Sequence, residues 1–176
     1  MSMFSFLDPE RILENLNLRK DMVAAEFGCG SGNFTITLAK RLEEGMVYAL
    51  DVQQEVLSAL AARATQEKVF NIRIIRCDLE SERGSTLPDN SLDLVLIPNV
   101  LFQAEDRKAI VEEAKRVLKK GGEVLIIDWK KESSLGPKYS RISASEVKSL
   151  AEKLGLEFQR ELEAGQAHYA LLFKKT

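Results

Sequence analysis

The feature that most constrains the fold of this chain is the segment VAAEFGCGSGNF at residues 23–34. Its apolar run contains the acidic Glu26 and is followed by Gly28, Gly30 and Gly32. Glycine adopts positive φ easily and lets a ligand approach the backbone closely. The first N–H groups of a following helix are free to bind polar ligand atoms. The segment therefore predicts a strand, a tight turn and a helix that together build a nucleotide-type site.

The main alternative for such a turn is the dinucleotide fingerprint G-x-G-x-x-G, which places a pyrophosphate on the helix N-terminus. Counted from Gly28 the pattern requires glycine or alanine where the chain has Asn33, and counted from Gly30 it requires one where the chain has Thr35. The carboxylate of Glu26 would also repel a pyrophosphate, whereas it suits a ligand with an ammonium group and hydroxyls. The turn therefore argues against a dinucleotide.

The acidic-x-Gly-x-Gly-x-Gly pattern resembles the first motif of the class I S-adenosylmethionine-dependent methyltransferases. The resemblance implies S-adenosylmethionine as the cofactor and no metal ion. It implies that the cofactor contacts this segment at the following positions: Glu26, Gly28, Cys29, Gly30, Gly32 and Asn33.

Strand and helix patterns alternate along the whole chain, which is typical of a parallel sheet covered by helices on both faces. Strands are predicted at 22–27, 46–51, 71–77, 92–97, 123–128, 156–162 and 167–174, and helices at 8–16, 33–44, 54–68, 106–119 and 143–154. The turn between the last two strands is too short for a parallel crossover, so they form an antiparallel hairpin. We expect an α/β three-layer Rossmann-like sandwich whose seven-stranded, mostly parallel sheet is closed by this C-terminal hairpin. The resemblance supplies the strand order 3-2-1-4-5-7-6.

Length and composition set the broad class. The chain has 176 residues, so a single methyltransferase domain over residues 1–176 is expected. A net charge of −2 argues against a nucleic-acid partner. No apolar run approaches the roughly 20 residues of a membrane span. Two cysteines make no disulfide framework, which favours a cytoplasmic location. The sequence leaves the oligomeric state open, and a dimer is one of the alternatives.

Acidic residues end two further predicted strands, at the sheet edge where ligands bind in open α/β folds. Asp51 lies 19 residues after Gly32 and is followed by Val52. The resemblance implies that its carboxylate binds the two ribose hydroxyls, and the alternative is a helix cap. Asp78 ends the third strand. The resemblance implies that it meets the adenine amine while the backbone amide of Leu79 meets the adenine ring, and the alternative is a capped loop start.

The fourth strand ends in IPNVLFQ, residues 97–103. Methyltransferases that act on exocyclic amines of bases carry Asn- or Asp-Pro-Pro-aromatic here, and the departure argues against such substrates. Asn99 instead resembles the small-molecule members, where this segment lines the methionine end of the cofactor. The helix, turn and strand that end at Asp128 also resemble the substrate side of the ubiquinone/menaquinone-biosynthesis-like branch. Asn99 and Asp128 are therefore candidate catalytic residues.

His168 is the only histidine of the chain and begins the last strand. Because that strand runs antiparallel to the fifth, its start lies at the same edge as Asp128 and Trp129. An imidazole there can take a proton from an acceptor hydroxyl or amine, or orient the acceptor. The alternative is a half-exposed strand residue that is hydrogen-bonded to the turn.

No long insertion follows the fourth or fifth strand, so the acceptor pocket is predicted from few segments: residues 1–7, Phe102 with its neighbours, and residues 129–141. Their apolar side chains favour a small, partly apolar acceptor or a partner surface. Two other functions stay open. One is a catalytically silent S-adenosylmethionine-binding subunit that supports a partner enzyme, and the other is a nicotinamide-dependent oxidoreductase.

Overall fold

Seven strands form one sheet within residues 7–176, the part of the chain that the computed structural model describes. In chain order the elements are α1 (Pro9–Leu13), β1 (Val23–Phe27), α2 (Asn33–Arg41), β2 (Met46–Asp51), α3 (Gln54–Gln66), β3 (Ile72–Arg76), β4 (Leu92–Pro98), α4 (Arg107–Val117), β5 (Leu118–Trp129), α5 (Ala144–Lys153), β6 (Leu156–Leu162) and β7 (His168–Lys175). No helix among residues 7–176 is long and apolar enough to cross a membrane.

The strand order is β3-β2-β1-β4-β5-β7-β6. Strand β7 runs antiparallel to both β5 and β6, and all other neighbouring strands are parallel. The predicted seven-stranded, mostly parallel sheet with its C-terminal antiparallel hairpin is therefore confirmed. The sheet is open at β3 and β6, so the hairpin ends the sheet at one edge and does not close it.

The core lies in two layers, one on each face of the sheet. In β4, Leu94 and Leu96 belong to the layer that packs against α1, α2 and α3, whereas Val95 and Ile97 belong to the layer under α4 and α5. Successive strand residues point to opposite faces, so a strand covered on both sides needs a continuous apolar run. This is why the central strands lack the alternating pattern of a half-exposed sheet.

Helix α2 ends at Arg41, three residues before the predicted end at Glu44. The side-chain amide of Asn71 donates hydrogen bonds to the carbonyls of Ala39 and Leu42, at 3.0 and 2.7 Å. These bonds satisfy carbonyls that a helix leaves free at its C-terminus. The cap comes from a residue 29 positions away from Leu42, so the local sequence did not show it.

Helix α4 ends at Val117 and not at Lys119, because Leu118 is already extended with φ −66° and ψ 137°. Leu118 pairs with Leu92 as the first residue of β5, and the register shifts before Leu94 pairs with Glu123. Gly121, predicted to separate the helix from the strand, lies inside β5. Helix α3 ends two residues before the predicted Lys68, which has a φ of 57°.

Helix α5 begins as predicted. The Ser143 hydroxyl accepts a hydrogen bond from the backbone N–H of Glu146, and the Glu146 carboxylate accepts one from the backbone N–H of Ser143. This capping box satisfies two donors at once and fixes the direction in which the chain enters the helix. It also anchors the far end of the loop of residues 130–142, which follows β5.

Candidate functional site

A cavity of about 680 Å³ lies at the carboxyl ends of β1, β2, β3 and β4. The order of the sheet reverses between β1 and β4, and ligands of open α/β folds bind at such a switch point. The cavity is lined by segments that follow these strands and by two residues of β5 and β7: 28–31, 51–53, 77–80, 98–100, Trp129 and His168.

The three glycines of the turn all have positive φ, with values of 73° at Gly28, 47° at Gly30 and 79° at Gly32. A Cβ at Gly28 would overlap Val100, and one at Gly32 would overlap Leu60. A Cβ at Gly30 would have no heavy atom of the described chain within 4 Å. Packing therefore requires the outer glycines, whereas the central one presents bare backbone to the cavity.

The carboxylate of Asp51 joins the glycine turn to the end of β2. Its Oδ2 accepts a hydrogen bond from the Gly30 N–H at 3.1 Å, and its Oδ1 accepts one from the Gln53 N–H at 3.0 Å. The N-cap of α3 is Gln53, so Asp51 is not the cap residue. Each carboxylate oxygen accepts more than one hydrogen bond, and Asp51 lines the cavity with capacity left for a ligand.

Glu26 lies at the end of β1 under the turn and is only 2% exposed. The Thr35 hydroxyl donates a hydrogen bond to its Oε2. Burial raises the pKa of Glu26 to about 8, and the hydrogen bonds from Thr35 offset part of that rise. Glu26 is therefore mostly protonated at pH 7, and a cation bound beside it would favour its ionised form.

Thr35 was not singled out from the sequence. It lies in the first turn of α2 and is fully buried. Here its hydroxyl reaches back to the strand end and supports the carboxyl group of Glu26. The sequence signal that could have identified Thr35 is a hydroxyl residue in the first helical turn after a glycine turn.

Cys29 lines the cavity as an uncharged thiol. Burial raises its pKa to about 12, and the carboxylates of Glu26 and Asp51 add to the shift. The backbone N–H groups of Gly28 and Cys29 both donate to the Leu50 carbonyl, at 2.8 and 2.9 Å. Cys29 therefore fills the turn and does not provide a thiolate nucleophile.

The remaining predicted cofactor residues line the cavity, whereas Gly32 of the turn does not and packs against Leu60. Asn33 Oδ1 accepts a hydrogen bond from Arg63 at 2.7 Å, which fixes the start of α2. Asp78 accepts one from the Glu80 N–H at 2.9 Å, so it caps the loop as well as bordering the cavity. Val52 is 56% exposed at the cavity mouth, and Leu79 is buried.

Comparison with known proteins is consistent with this geometry. Residues 25–126, more than half of the chain, match the family model described as "Methyltransferase domain". The chain belongs to this methyltransferase family. The predicted resemblance to class I S-adenosylmethionine-dependent methyltransferases is thereby confirmed.

Curated relatives match the chain over only part of their own length. A demethylmenaquinone methyltransferase of Geobacillus sp. is 27% identical over 128 residues, which cover 72% of this chain and 53% of that protein. A demethylmenaquinone methyltransferase of Staphylococcus aureus is 30% identical over 122 residues, covering 68% and 48%. The chain spans about half the length of these curated relatives.

A solved structure covers nearly the whole chain. The crystal structure of an S-adenosylmethionine-dependent methyltransferase from Aquifex aeolicus superposes with a TM-score of 0.89 and is 28% identical, over 98% of this chain and 92% of that one. The chain and the Aquifex aeolicus protein therefore share their architecture almost from end to end.

The far end of the cavity, at the ends of β4, β5 and β7, is lined by Asn99, Trp129 and His168. Asn99 has a φ of 55°, which asparagine tolerates, and its N–H donates to the Ile127 carbonyl at 2.8 Å. His168 pairs with Trp129 across β5 and β7, as predicted, and the ring centroids are 4.0 Å apart.

The alternative prediction for His168, a half-exposed residue hydrogen-bonded to the turn, does not hold. His168 is 5% exposed, and neither ring nitrogen has a hydrogen-bond partner among residues 7–176. Burial, aided by the positive charges of Arg141 and Lys130, lowers its pKa to about 4. The imidazole is therefore neutral at pH 7.

Asp128 lies beside this end but does not line the cavity. It is fully buried, and its carboxylate accepts hydrogen bonds from the N–H groups of Phe102 and Trp129 at 3.0 and 2.7 Å. Burial raises its pKa to about 6. The carboxylate thus fixes the turn after β4 to the end of β5 and does not face the cavity lining.

The predicted acceptor wall is corrected in two places. Phe102 is buried beside Tyr139, with ring centroids 6.3 Å apart, and does not line the cavity, whereas its neighbours Gln103 and Ala104 do. Of residues 129–141, Trp129 alone lines it. Leu7 lines the cavity as predicted, and residues 1–6 of that prediction lie outside the described residues.

Proposed function

We propose that the chain binds S-adenosylmethionine in this cavity and transfers its methyl group to a small, partly apolar acceptor. One observation carries the proposal. The cavity at the switch point joins the bare backbone of Gly30 to the carboxyl groups of Glu26 and Asp51, in a chain that belongs to the methyltransferase family.

The residues present fit this cofactor. A volume of about 680 Å³ lies within the roughly 300–1,000 Å³ typical of small-molecule sites. The buried carboxyl group of Glu26 suits the amino group of the methionine part, and Asp51 suits the ribose hydroxyls. The adenine would be held by Asp78 and by the backbone amide of Leu79. The proposed site is completed by residues at and around three strand ends: Gly28, Cys29, Gly32 and Asn33 after β1, Val52 after β2 and Asn99 after β4.

The bound cofactor supplies a methyl group on a sulfonium centre, which its own charge activates for in-line displacement. The protein then has to align the acceptor with that methyl group and, for a hydroxyl or amine, to accept a proton. We assign these tasks to His168, whose neutral imidazole lines the acceptor end, together with Asn99, which lines the same cavity. Asp128 acts as a positioning residue through the turn after β4.

The acceptor class follows from the lining of the cavity. Along the cavity as a whole, Leu7, Val100 and Trp129 give an apolar lining, which supports a small, partly apolar molecule. The curated relatives named above are demethylmenaquinone methyltransferases, and a related acceptor is part of the proposal. We further propose that residues 1–176 act as one catalytic domain, since both core layers flank one sheet. Free thiols at Cys29 and Cys77 support a cytoplasmic location.

The test is turnover, measured as transfer of labelled methyl from S-adenosylmethionine to a panel of hydroxyl, amine and enol acceptors. His168→Ala is assayed beside the wild type, with cofactor affinity measured separately. Lost turnover with intact cofactor binding supports the role of His168. Cofactor binding without turnover on any acceptor would favour the silent partner subunit. Unchanged turnover in His168→Ala would remove His168 from the mechanism.

A further inference from the structure

Unpartnered polar atoms are concentrated at one end of the cavity. Within residues 7–176, five buried side-chain nitrogen or oxygen atoms have no hydrogen-bond partner. Four of them belong to Asn99, Trp129 and His168, which line the same cavity. The fifth, on Arg41, lies at the end of α2, where the guanidinium binds Glu10. Folded proteins leave few buried polar groups unbonded, so this cluster indicates a ligand that completes its hydrogen bonds.

The chemistry of these atoms restricts what the ligand carries. Trp129 Nε1–H is a donor only, and a neutral imidazole offers one donor and one acceptor. A hydroxyl group serves two of these four atoms at once, because its oxygen accepts from Trp129 while its proton is donated to the acceptor nitrogen of His168. An alkyl group would leave all of these atoms unbonded at a cost of about 1–3 kcal/mol each.

Contacts within the protein hold the two rings in place. They face each other across paired strands with an interplanar angle of 38°. A Cβ at Gly136 would overlap the Trp129 ring, so the loop of residues 130–142 packs directly on that ring. Arg141 holds the loop by donating to the carbonyls of Lys130 and Ser133, both at 2.7 Å, and its guanidinium lies 5.9 Å from the centre of the Trp129 ring.

The charges around the pair select among polar ligands. The charged groups that act on His168 are Arg141 and Lys130, and both are cations. The carboxylate of Asp128 is engaged by the N–H groups of Phe102 and Trp129. This end of the cavity therefore disfavours an ammonium group and accepts a neutral or anionic oxygen.

We propose that Trp129 and His168 form an oxygen-binding subsite that selects methyl acceptors bearing a hydroxyl group over amines and hydrocarbons of the same shape. The inference rests on the proposed function, because it places the acceptor at the end of the cavity away from the glycine turn. Trp129 and His168 are thus specificity-determining residues, and Arg141 is a positioning residue that acts through the loop.

The test uses three probes of similar shape, which are 4-fluorobenzyl alcohol, 1-ethyl-4-fluorobenzene and 4-fluorobenzylammonium. Their affinities for the protein saturated with S-adenosylhomocysteine are measured by fluorine NMR. We expect the alcohol to bind about tenfold more tightly than the ethyl compound, as one to two net hydrogen bonds allow, and the ammonium to bind most weakly.

Two variants test whether Trp129 and His168 cause the preference for the alcohol. Trp129→Phe keeps an aromatic ring and removes the N–H, and His168→Phe removes both nitrogens, so each should reduce the preference for the alcohol severalfold. Tyr139→Phe changes an exposed residue of the same loop and should keep the full preference. Retained circular dichroism spectra and unfolding temperatures identify the variants that are folded.

The outcomes separate the two proposals. If S-adenosylhomocysteine binds in calorimetry but the alcohol binds no better than the ethyl compound, or is undetected, the oxygen-binding subsite is overturned and the cofactor site stands. The subsite is equally overturned if the ammonium binds most tightly. If S-adenosylhomocysteine itself does not bind, the proposed function fails.

Discussion

The two ends of the cavity differ in how the chain treats its own polar groups. At the glycine turn, Glu26 accepts from Thr35, Asp51 accepts from Gly30, and Asn33 accepts from Arg63. At the far end, Trp129 and His168 have ring nitrogens without a partner among the described residues. The first end is organised by the protein itself, whereas the second completes its hydrogen bonding only with a ligand. Affinity for the cofactor and choice of acceptor should therefore respond to different residues.

The largest expected effect comes from Gly30→Val at the organised end. A branched Cβ would enter the space that Gly30 leaves open, so cofactor binding should be lost in calorimetry. The matched control is Gly121→Val, because Gly121 also has a positive φ of 81° and its added Cβ would meet only the end of Lys174. Both variants carry similar backbone strain. Undiminished binding by folded Gly30→Val would remove the cofactor from the glycine turn.

The second effect concerns Asp51. Asp51→Ala should weaken binding of S-adenosylhomocysteine by roughly 2–3 kcal/mol, the value of hydrogen bonds to a charged and partly buried acceptor. Asp51→Asn keeps an oxygen acceptor and should lose less. Calorimetry on both variants measures the difference. Wild-type affinity in Asp51→Ala would mean that this carboxylate serves only the Gly30 and Gln53 N–H groups.

The third effect is a pH dependence that arises at Glu26. Its pKa is about 8, so below pH 8 the carboxyl group is mostly protonated and must lose a proton to pair with the ammonium group of the cofactor. Affinity should therefore rise about tenfold from pH 6 to pH 7 and level off above pH 8. Glu26→Gln should flatten this slope. Glu80→Gln, which changes another carboxylate at the cavity, should keep it.

The smallest effect probes the far end through the only tryptophan of the chain. Protonated imidazole quenches a neighbouring indole, and the His168 ring centre lies 4.0 Å from that of Trp129. Because burial and nearby cations lower the pKa of His168, quenching on acidification should have its midpoint near pH 4. His168→Phe should abolish the transition. A quenching midpoint near pH 6.5 would show that His168 is solvated. The far end would then not contain the buried, unbonded ring nitrogens that distinguish it from the glycine turn.

Most of the fold was predictable because its signals are local. The continuous apolar strands, the Ser143 capping box and the short turn before β7 each fixed an element or a direction. The errors occurred where distant residues act. The early end of α2 depends on the side chain of Asn71, and the start of β5 depends on pairing between Leu118 and Leu92.

The same distinction applies to the candidate site. The residues of the glycine turn and Asp51 follow strand ends, so their meeting at one sheet edge could be inferred from the strand order. The support of Glu26 by Thr35 and the closure of the loop by Arg141 depend on side-chain packing, which spacing does not show. The burial of Phe102 away from the cavity has the same cause, since Asp128 binds its backbone N–H.

The most direct test of the central claim is calorimetric titration of the unmodified chain with S-adenosylhomocysteine and, separately, with NAD. The account predicts binding of S-adenosylhomocysteine in the micromolar range and no binding of NAD. The carboxyl group of Glu26 disfavours a pyrophosphate, and Asn33 stands where the dinucleotide fingerprint requires its third glycine. Binding of NAD without binding of S-adenosylhomocysteine would contradict it.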